Sequence, residues 1–330
     1  MKALIIFLFL PVAIFAQTLD PVVTTFPSLQ IPSSSRGLAM GDCGIASAIE
    51  NQQLGYNAAK SAFIQNFHQV AANYTPWLSS ISNDTRFINV SYLGNVFNTS
   101  ALGVSLNYLD MGTITTRDNN GASLATYHAR EYNLGTSYAL QLNAKASLGA
   151  TLRFLGQNEF TEVPKNIYSV CGDLGYYQFT NIGGDANKKI EWGVVLSNLG
   201  ANSNLPTSLG IGIGYRSISS EDGTQIAAGI DLKKLIVPTL NANLNNLTIS
   251  CGLEFGFLNE FFLRGGLNLE SQLQGNRKFF SLGVGYQGFL KDQGWGLDFH
   301  YLVPFGTIAA LSPFQNAFGF GLHVSMGNFQ

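Results

Sequence analysis

From about residue 69 to the C-terminus, the chain alternates apolar and polar residues in short segments that polar turns separate. In "SLGIGIGYR" (208–216), Leu209, Ile211 and Tyr215 share one face, and the glycines share the other face with Arg216. A period of two is the signature of a β-strand with one apolar face. Such segments begin near residues 69, 84, 99, 130, 145, 169, 190, 207, 224, 247, 260, 277, 293 and 317. The pattern therefore predicts about fourteen strands.

The polar face of these segments consists mainly of Gly, Ser, Asn and Thr, with few charges. Most segments have the roughly ten residues that a tilted strand needs to cross a bilayer, and several begin or end with an aromatic residue. An even number of antiparallel strands in a closed barrel satisfies every backbone group in lipid. We therefore predict an all-β fold, a transmembrane antiparallel β-barrel of about 14 strands. A secreted β-sandwich is the alternative.

The composition agrees with a surface that lipid covers. Charged residues make up 12% of the chain, aromatic residues another 12%, and the formal net charge is −2. Soluble domains carry about twice that share of charged residues. Because the chain has no basic stretch, we expect no nucleic-acid partner.

The N-terminus indicates export. Lys2 precedes an apolar run that ends at Ala16 and is too short for a comfortable transmembrane helix. This arrangement is typical of a secretory signal peptide, which we assign to residues 1–16. The terminal strand of the chain, "NAFGFGLHVSMGNFQ", carries Phe329 one residue from the end, which resembles the assembly signal of outer-membrane barrels.

Residues 17–66 do not alternate, and the barrel is predicted to occupy residues 67–330. Residues 57–66 are predicted to form a short helix with Asn57 as its N-cap. Residues 18–56 are polar, glycine-bearing and irregular, so we expect 17–66 to form a plug inside the lumen. Residues 111–128 contain the turn "DNNG" and are expected to form an extramembrane hairpin that extends the neighbouring strands. Residues 158–167 and 235–246 are further candidate loops.

The stretch "SSSRGLAMGDCGIASA" (33–48) contains three glycines but fits neither phosphate-binding pattern, because no Lys follows and no strand precedes it. We expect these glycines to let the backbone approach the barrel wall. Arg36 and Asp42 need partners inside a plugged barrel, either each other or a lumen charge. The lumen charges considered are Arg153, Asp173, Arg216, Glu254 and Arg264. The plug or gate candidates are Arg36, Gly37, Met40, Gly41, Asp42, Gly44 and Asn57; a fixed plug and a moving gate both remain open.

The candidate interface residues are Tyr74, Pro76 and Trp77, at the end of the first predicted strand. A Trp at a strand end is typically an interfacial anchor, and contact with a partner protein is the alternative.

The histidines and cysteines point to no reactive site. His68, His128, His300 and His323 show no metal spacing, and alternation places His300 and His323 on the polar face. We therefore predict no catalytic residue, no cofactor and no metal. Alternation also places Cys251 toward lipid and Cys171 inward, which leaves Cys43 with Cys171 as the open option for a disulfide.

Four ordered motifs carry a family resemblance: "SSRGLAMGDCGIAS", "LGYNAAKSAF", "NYTPWL" and "LNYLDMGTIT". Their order and spacing, over about residues 30–118, resemble the PorV/PorQ family of the Bacteroidota type IX secretion system, and "YTPWL" favours the PorV branch. The family is similar in fold to the FadL fatty-acid transporters, with N-terminal residues packed in the lumen. The chain departs from the family pattern at Tyr56, at Asn57-Ala58 and at Leu38-Ala39.

The resemblance implies a non-enzymatic protein of the Gram-negative outer membrane, in contact with outer-membrane lipid. Its implied partners are the large type IX translocon subunit and the C-terminal signal domains of exported cargo. The alternative function is a FadL-like channel for a hydrophobic small molecule such as a long-chain fatty acid.

Overall fold

The computed structural model describes residues 24–47, 53–64, 66–78, 82, 84–159, 165–200, 204–219, 222–237, 247–271, 274–291, 293–306, 312 and 314–328. The predicted signal peptide, 1–16, lies outside the described residues. Within the described ranges, no helix has both the length and the apolar character needed to cross a membrane.

Fourteen antiparallel strands of the described residues form a closed barrel in which each strand pairs with its neighbours in the chain and the first pairs with the last. The strands are β1 (Asn66–Pro76), β2 (Arg86–Val96), β3 (Ser100–Arg117), β4 (Ser123–Asn143), β5 (Ala146–Glu159), β6 (Lys165–Ile182), β7 (Asp185–Gly200), β8 (Ser208–Ile218), β9 (Gln225–Leu235), β10 (Leu247–Phe257), β11 (Phe261–Glu270), β12 (Lys278–Leu290), β13 (Gln293–Pro304) and β14 (Phe318–Asn328). The predicted closed barrel and its strand number are confirmed.

The strand starts follow the alternation closely, except in β4, β6 and β7. These three begin at Ser123, Lys165 and Asp185, several residues before the predicted positions. Each extends beyond the clearly alternating stretch, because hydrogen bonding to a neighbouring strand continues past the part that faces lipid. The candidate loop 158–167 accordingly shrinks, and residues 160–164 lie outside the described ranges.

The two faces of the wall differ as the alternation predicts. Along β8, Leu209, Ile211 and Ile213 are exposed on the outside, while the glycines between them are buried on the inside. An outward apolar band on a closed antiparallel barrel is the arrangement that allows strands to cross a bilayer.

The two ends of the barrel also differ. One end, here called the short-turn end, holds the start of β1, the end of β14 and the tight turns at residues 97–99, 144–145, 183–184 and 258–260. The opposite end is the loop end, where the longer connections lie. In outer-membrane barrels, short turns face the periplasm and longer loops face outward.

The β3–β4 hairpin extends past the rest of the wall at the loop end. The pairing of β3 with β2 stops at Asp110, whereas its pairing with β4 continues from Thr113 to Arg117. A register shift separates Asp110 from Thr113. The predicted hairpin, which extends both strands, is confirmed. We call residues 113–128 the hairpin arm.

Trp77 belongs to an apolar cluster inside the loop end. Only 6% of the residue is exposed, and its ring meets Phe314 edge-on at 5.0 Å. The cluster also contains Ile31, Leu38, Phe87, Leu109, Phe279, Leu302 and Ala317. The prediction that Trp77 is an interfacial anchor is therefore wrong. The alternation of β1 already explains this, because Ala71, Asn73 and Thr75 face inward and Trp77 continues that face.

Trp77→Ala is expected to destabilise the barrel by about 3–5 kcal/mol, since it empties a buried site in the apolar cluster beside Phe314. Trp192 is the matched control: it faces outward, is 39% exposed, and its ring lies 5.0 Å from that of Tyr176. The measurement is the urea concentration at which half of the protein is unfolded, read from the migration of unheated samples in gel electrophoresis. Equal shifts for Trp77→Ala and Trp192→Ala would contradict the assignment of Trp77 to the interior cluster.

Candidate functional site: the inner segment

Residues 24–47 and 53–64, here called the inner segment, lie inside the barrel against inward-facing residues of the wall. The backbone N–H of Gly41 donates to the Ser281 hydroxyl at 2.9 Å, and Asn268 donates to the Gly41 carbonyl at 3.2 Å. On the other side of the barrel, Ser147 donates to the Ala59 carbonyl at 2.7 Å. The inner segment thus contacts strands on opposite sides of the lumen.

Its local structure is short and capped. A five-residue helix, α1 (Ser35–Ala39), begins after Ser34, whose hydroxyl accepts from the Gly37 N–H. The alternation predicted only irregular chain here, because five residues are too few to show a helical period. The predicted helix after Asn57 is a 3-10 helix, Ala58–Phe63, and the Asn57 side chain caps the Ala59 N–H as expected. Two other 3-10 turns lie at Pro27–Gln30 and Gln53–Gly55.

A row of glycines seats residues 40–47. Four inward-facing glycines on β8–β11 stand directly opposite one another in register: Gly214, Gly229, Gly252 and Gly266. We call this row the glycine track. A Cβ on Gly266 would overlap the Gly41 backbone, and one on Gly214 would lie 3.2 Å from the Ala46 carbonyl. Because the track has no side chains, a main chain can lie directly on the sheet.

The three glycines of the 33–48 stretch have two different roles. Gly41 has a φ of 71°, a left-handed conformation, and packs on the backbone of Leu267 and Cys251. The expectation that glycine permits contact with the wall is therefore correct for Gly41. It is wrong for Gly37 and Gly44, where an added Cβ would overlap the ring of Tyr56 instead. These two glycines make room for an aromatic residue of the inner segment itself.

Arg36 joins a buried network of charges on the wall. Its guanidinium makes two hydrogen bonds of 2.8 Å with the Glu254 carboxylate, which also accepts from Arg264 at 2.6 Å. Arg264 continues to Asp298, and His323 Nδ1 lies 3.5 Å from that carboxylate. The network runs from the inner segment to β10, β11, β13 and β14. Of the candidate lumen partners, Glu254 is the one that pairs with Arg36.

The remaining candidate lumen charges pair within the wall. Arg153 bonds Asp173 at 2.5 Å, and Arg216 bonds Glu191 at 2.9 Å. Asp42 does not pair with Arg36; its nearest cation is Lys233, at 3.8 Å. Lys233 is part of the inward face of β9 and was absent from the predicted set.

The peptide unit at Gly44 lies between two opposite charges. The N–H groups of Gly44 and Ile45 donate to Asp231 at 2.7 and 2.9 Å. The Gly44 carbonyl accepts from the ammonium of Lys60 at 2.6 Å, and Lys60 also donates to the Ser47 carbonyl. Lys60 is completely buried. It therefore fastens the two parts of the inner segment to each other, while Asp231 fastens them to β9.

Asn57 makes a second connection between the two parts of the inner segment. Its side-chain amide donates to the Ile45 carbonyl at 3.2 Å and to the Tyr176 carbonyl of β6 at 3.0 Å. These bonds use the NH2 group of the side chain, and the cap at Ala59 uses its carbonyl oxygen. Asn57 is thus a structural connector between residue 45, the 3-10 helix and the wall.

A ladder of asparagines crosses four neighbouring strands. Asn73, Asn89, Asn107 and Asn133 stand opposite one another on β1–β4, and each side-chain amide donates to the next at 3.2, 2.6 and 2.8 Å. Both ends of this asparagine ladder reach the inner segment. The Ser35 N–H donates to Asn73, and Asn133 donates to the Ser28 hydroxyl, which in turn donates to Glu131.

Lys60, Asp231 and the asparagine ladder are functional residues of the inner segment and its seat that were absent from the predicted set. Alternation alone places Asp231 and the four asparagines on the inward face, and this signal was available. Their mutual contacts depend on strand register, which a single sequence does not reveal. Of the interface candidates, Tyr74 faces outward with 42% of the residue exposed, Pro76 is half-buried, and Trp77 is interior. All three cysteines are free, so the Cys43–Cys171 option is not realised.

A cavity of about 120 Å³ remains between the inner segment and the wall, toward the loop end. Charged and amide side chains contribute much of its lining, among them Asp42, Arg153, Asp173, Lys233, Asn268 and Glu270. The lining of this cavity is thus more polar than apolar.

The family comparison covers both the inner segment and most of the wall. The family model for the type IX secretion system protein PorV matches residues 15–242, which span the inner segment and β1–β9. The chain belongs to the PorV family. No curated protein matches it in sequence.

Solved structures agree on the architecture of this PorV-family barrel. The toluene transporter TodX from Pseudomonas putida is similar with a TM-score of 0.55 and 14% identity, over 93% of this chain and 99% of that one. The monoaromatic hydrocarbon channel CymD gives a TM-score of 0.52 and 12% identity, over 90% and 98%. The predicted FadL-like fold is confirmed, and identities this low show only the fold. The predicted outer-membrane location is confirmed by the PorV family match together with the closed barrel.

Gly266→Ala is expected to destabilise this PorV-family barrel by about 1–3 kcal/mol, because the new methyl group collides with the Gly41 backbone. Its neighbour Gly265 faces outward, where a Cβ meets only the Ser281 carbonyl at 3.9 Å. Gly265→Ala is therefore the matched control and should change stability by less than about 0.5 kcal/mol. The free energy of unfolding in urea is measured for both variants. The protease sensitivity of the inner segment is compared in the same two variants. Two indistinguishable variants would contradict the seating of residues 40–47 on the glycine track.

Glu254→Gln is expected to cost about 3–5 kcal/mol, because it leaves Arg36 and Arg264 buried without their shared carboxylate. Lys233→Met removes a cation that is 39% exposed and 3.8 Å from Asp42, so it should cost less than about 1 kcal/mol. The free energy of unfolding in urea measures both changes. A larger loss for Lys233→Met than for Glu254→Gln would refute the assignment of Glu254 as the central acceptor.

Proposed function

We propose that this PorV-family barrel is a non-enzymatic binding component of type IX secretion, and that its inner segment is a fixed plug rather than a gate. The partners proposed for it are the large translocon subunit and the C-terminal signal domains of exported cargo. The family assignment supports the secretion role. The contacts of the inner segment support a barrel that binds rather than conducts.

The observation that carries the fixed plug is the distribution of its attachments around the barrel. Arg36 is bonded to Glu254 of β10, Gly44 to Asp231 of β9 and Asn57 to β6, while Ser28 and Ser35 join the asparagine ladder of β1–β4. Displacing the segment would leave buried charges and amides without partners, which costs free energy at every site. Because no single hinge carries these contacts, they support a plug that stays in place.

A fixed plug leaves the loop end as the surface for partners. The hairpin arm projects there and exposes Ile114 and Leu124, the latter to 68%. Where the arm leaves the wall, side chains of the neighbouring strands' ends take over the backbone hydrogen bonding. Asp84 accepts from the Thr113 N–H, and Asn158 accepts from the Arg130 N–H. An exposed two-stranded arm with apolar side chains is suited to protein contact. Tyr74 and Pro76, near the same end of β1, remain interface candidates.

The second candidate function is a FadL-like channel for a hydrophobic small molecule. It rests on the shared fold with TodX and CymD, and fold alone is weak support for function. The charged and amide side chains around the interior cavity do not favour an apolar solute. We therefore rank this function second.

Photo-crosslinking in living cells tests the proposal. A benzophenone amino acid at Leu124 on the hairpin arm should capture a large translocon subunit or a cargo C-terminal domain. The control position is Phe97, which is 85% exposed in a tight turn at the short-turn end and should capture neither. Capture of lipid alone from Leu124, together with long-chain fatty-acid uptake that depends on the protein, would contradict the proposal and favour the channel.

A further inference from the structure

The outer surface of the wall carries a pocket of about 340 Å³ near the loop end, on β3–β6. Tyrosine, arginine and amide side chains line it: Tyr108, Arg130, Tyr132, Asn158, Asn166 and Tyr168. It lies on the opposite side of the wall from the inner segment. Neither the plug nor the proposed partner surface accounts for it.

The floor of the pocket depends on a glycine. Tyr132, Gly156 and Tyr168 stand directly opposite one another on β4, β5 and β6, and Tyr108 lies opposite Tyr132 on β3. A Cβ on Gly156 would overlap the Tyr132 ring, so this ring lies flat over the glycine. The result is a shallow recess between Tyr108 and Tyr168, with a tyrosine ring as its base.

The rim of the pocket toward the loop end carries the exposed guanidinium of Arg130. Asp110, opposite Arg130, is already engaged by Arg86 at 3.1 Å and by His128 at 2.8 Å. No hydrogen bond or ion pair of the described residues uses the Arg130 guanidinium or the hydroxyls of the three tyrosines. An exposed arginine beside free hydroxyl donors is complementary to a phosphate or carboxylate group.

The opposite rim is apolar. Two residues further toward the membrane centre, Leu134, Phe154 and Val170 continue the three strands and are exposed. The pocket therefore lies where an apolar band meets a polar rim. Tyrosines at such a boundary mark the level of lipid headgroups.

We propose that this pocket binds the phosphate-bearing headgroup of an anionic lipid in the leaflet at the loop end. Arg130 contacts the phosphate, the tyrosine hydroxyls donate to headgroup oxygens, and an acyl chain lies over Leu134 and Phe154. The occupant is a lipid rather than free phosphate, because the recess is continuous with the apolar band. The proposal does not rest on the secretion role, since it concerns the outer face of the barrel alone.

Native mass spectrometry of the full-length protein in detergent tests this site. Phosphatidylglycerol and phosphatidylcholine with identical acyl chains are titrated separately. The unaltered protein should bind phosphatidylglycerol more tightly, and Arg130→Gln should weaken that binding about tenfold. Phosphatidylcholine binding should weaken less, because its choline cation already offsets the charge of the phosphate, so the preference for phosphatidylglycerol should fall. Arg117→Gln is the matched control: Arg117 is on the hairpin arm outside the pocket and bonds only the Gly121 carbonyl among its described contacts. It should retain the preference.

Two further measurements make the result decisive. Heat-dependent gel migration verifies that each variant is folded, and the double variant Tyr132→Phe with Tyr168→Phe removes hydroxyls without removing rings. This double variant should also lose part of the preference. Inorganic phosphate in excess should not displace the lipid. Displacement by inorganic phosphate, or an equal loss in Arg117→Gln and Arg130→Gln, would overturn the proposal.

Discussion

In lipid, the backbone N–H and C=O groups of a barrel wall must be hydrogen-bonded within the wall. A charge buried in a lumen that protein fills is costly unless it has a partner. In this barrel the two requirements meet along the glycine track. The strands β8–β11 keep their full pairing, and yet residues 40–47 lie directly against them because the inward positions of the track have no side chains. This close approach brings Gly44 within reach of Asp231 on β9, and α1, which ends just before residue 40, carries Arg36 to Glu254 on β10.

The buried charges and amides form continuous structures rather than isolated pairs. Glu254 serves two arginines, one from the inner segment and one from the wall, so a single carboxylate ties plug and barrel together. The asparagine ladder has the same character, because it begins at Ser35, crosses four strands and returns to Ser28. Networks of this kind are strong when every member is satisfied and costly when one is removed. This dependence explains the large effect expected for Glu254→Gln.

The outer surface carries two separate features, the hairpin arm and the pocket on β3–β6. The hairpin arm projects beyond the apolar band and presents edges and apolar side chains to the surroundings, whereas the outer pocket on β3–β6 lies at the edge of that band. The first arrangement suits a protein partner and the second an anionic lipid. Because both lie on the outside, neither requires the inner segment to move.

The sequence by itself determined the strand number, the faces of each strand, the β3–β4 hairpin and the Asn57 cap. These features follow from a period of two or from contacts between near neighbours in the chain. The same period also predicts the inward positions of Asp231, of the asparagines and of Trp77.

Only the tertiary structure decided which inward residues meet. Arg36 and Glu254 are 218 positions apart, and Gly37 and Gly44 are explained by Tyr56 rather than by the wall. Such pairings are set by strand register and by the path of the inner segment through the lumen. A local pattern fixes the side of the sheet on which a residue lies, but its height along the barrel and its neighbours depend on all the strands together.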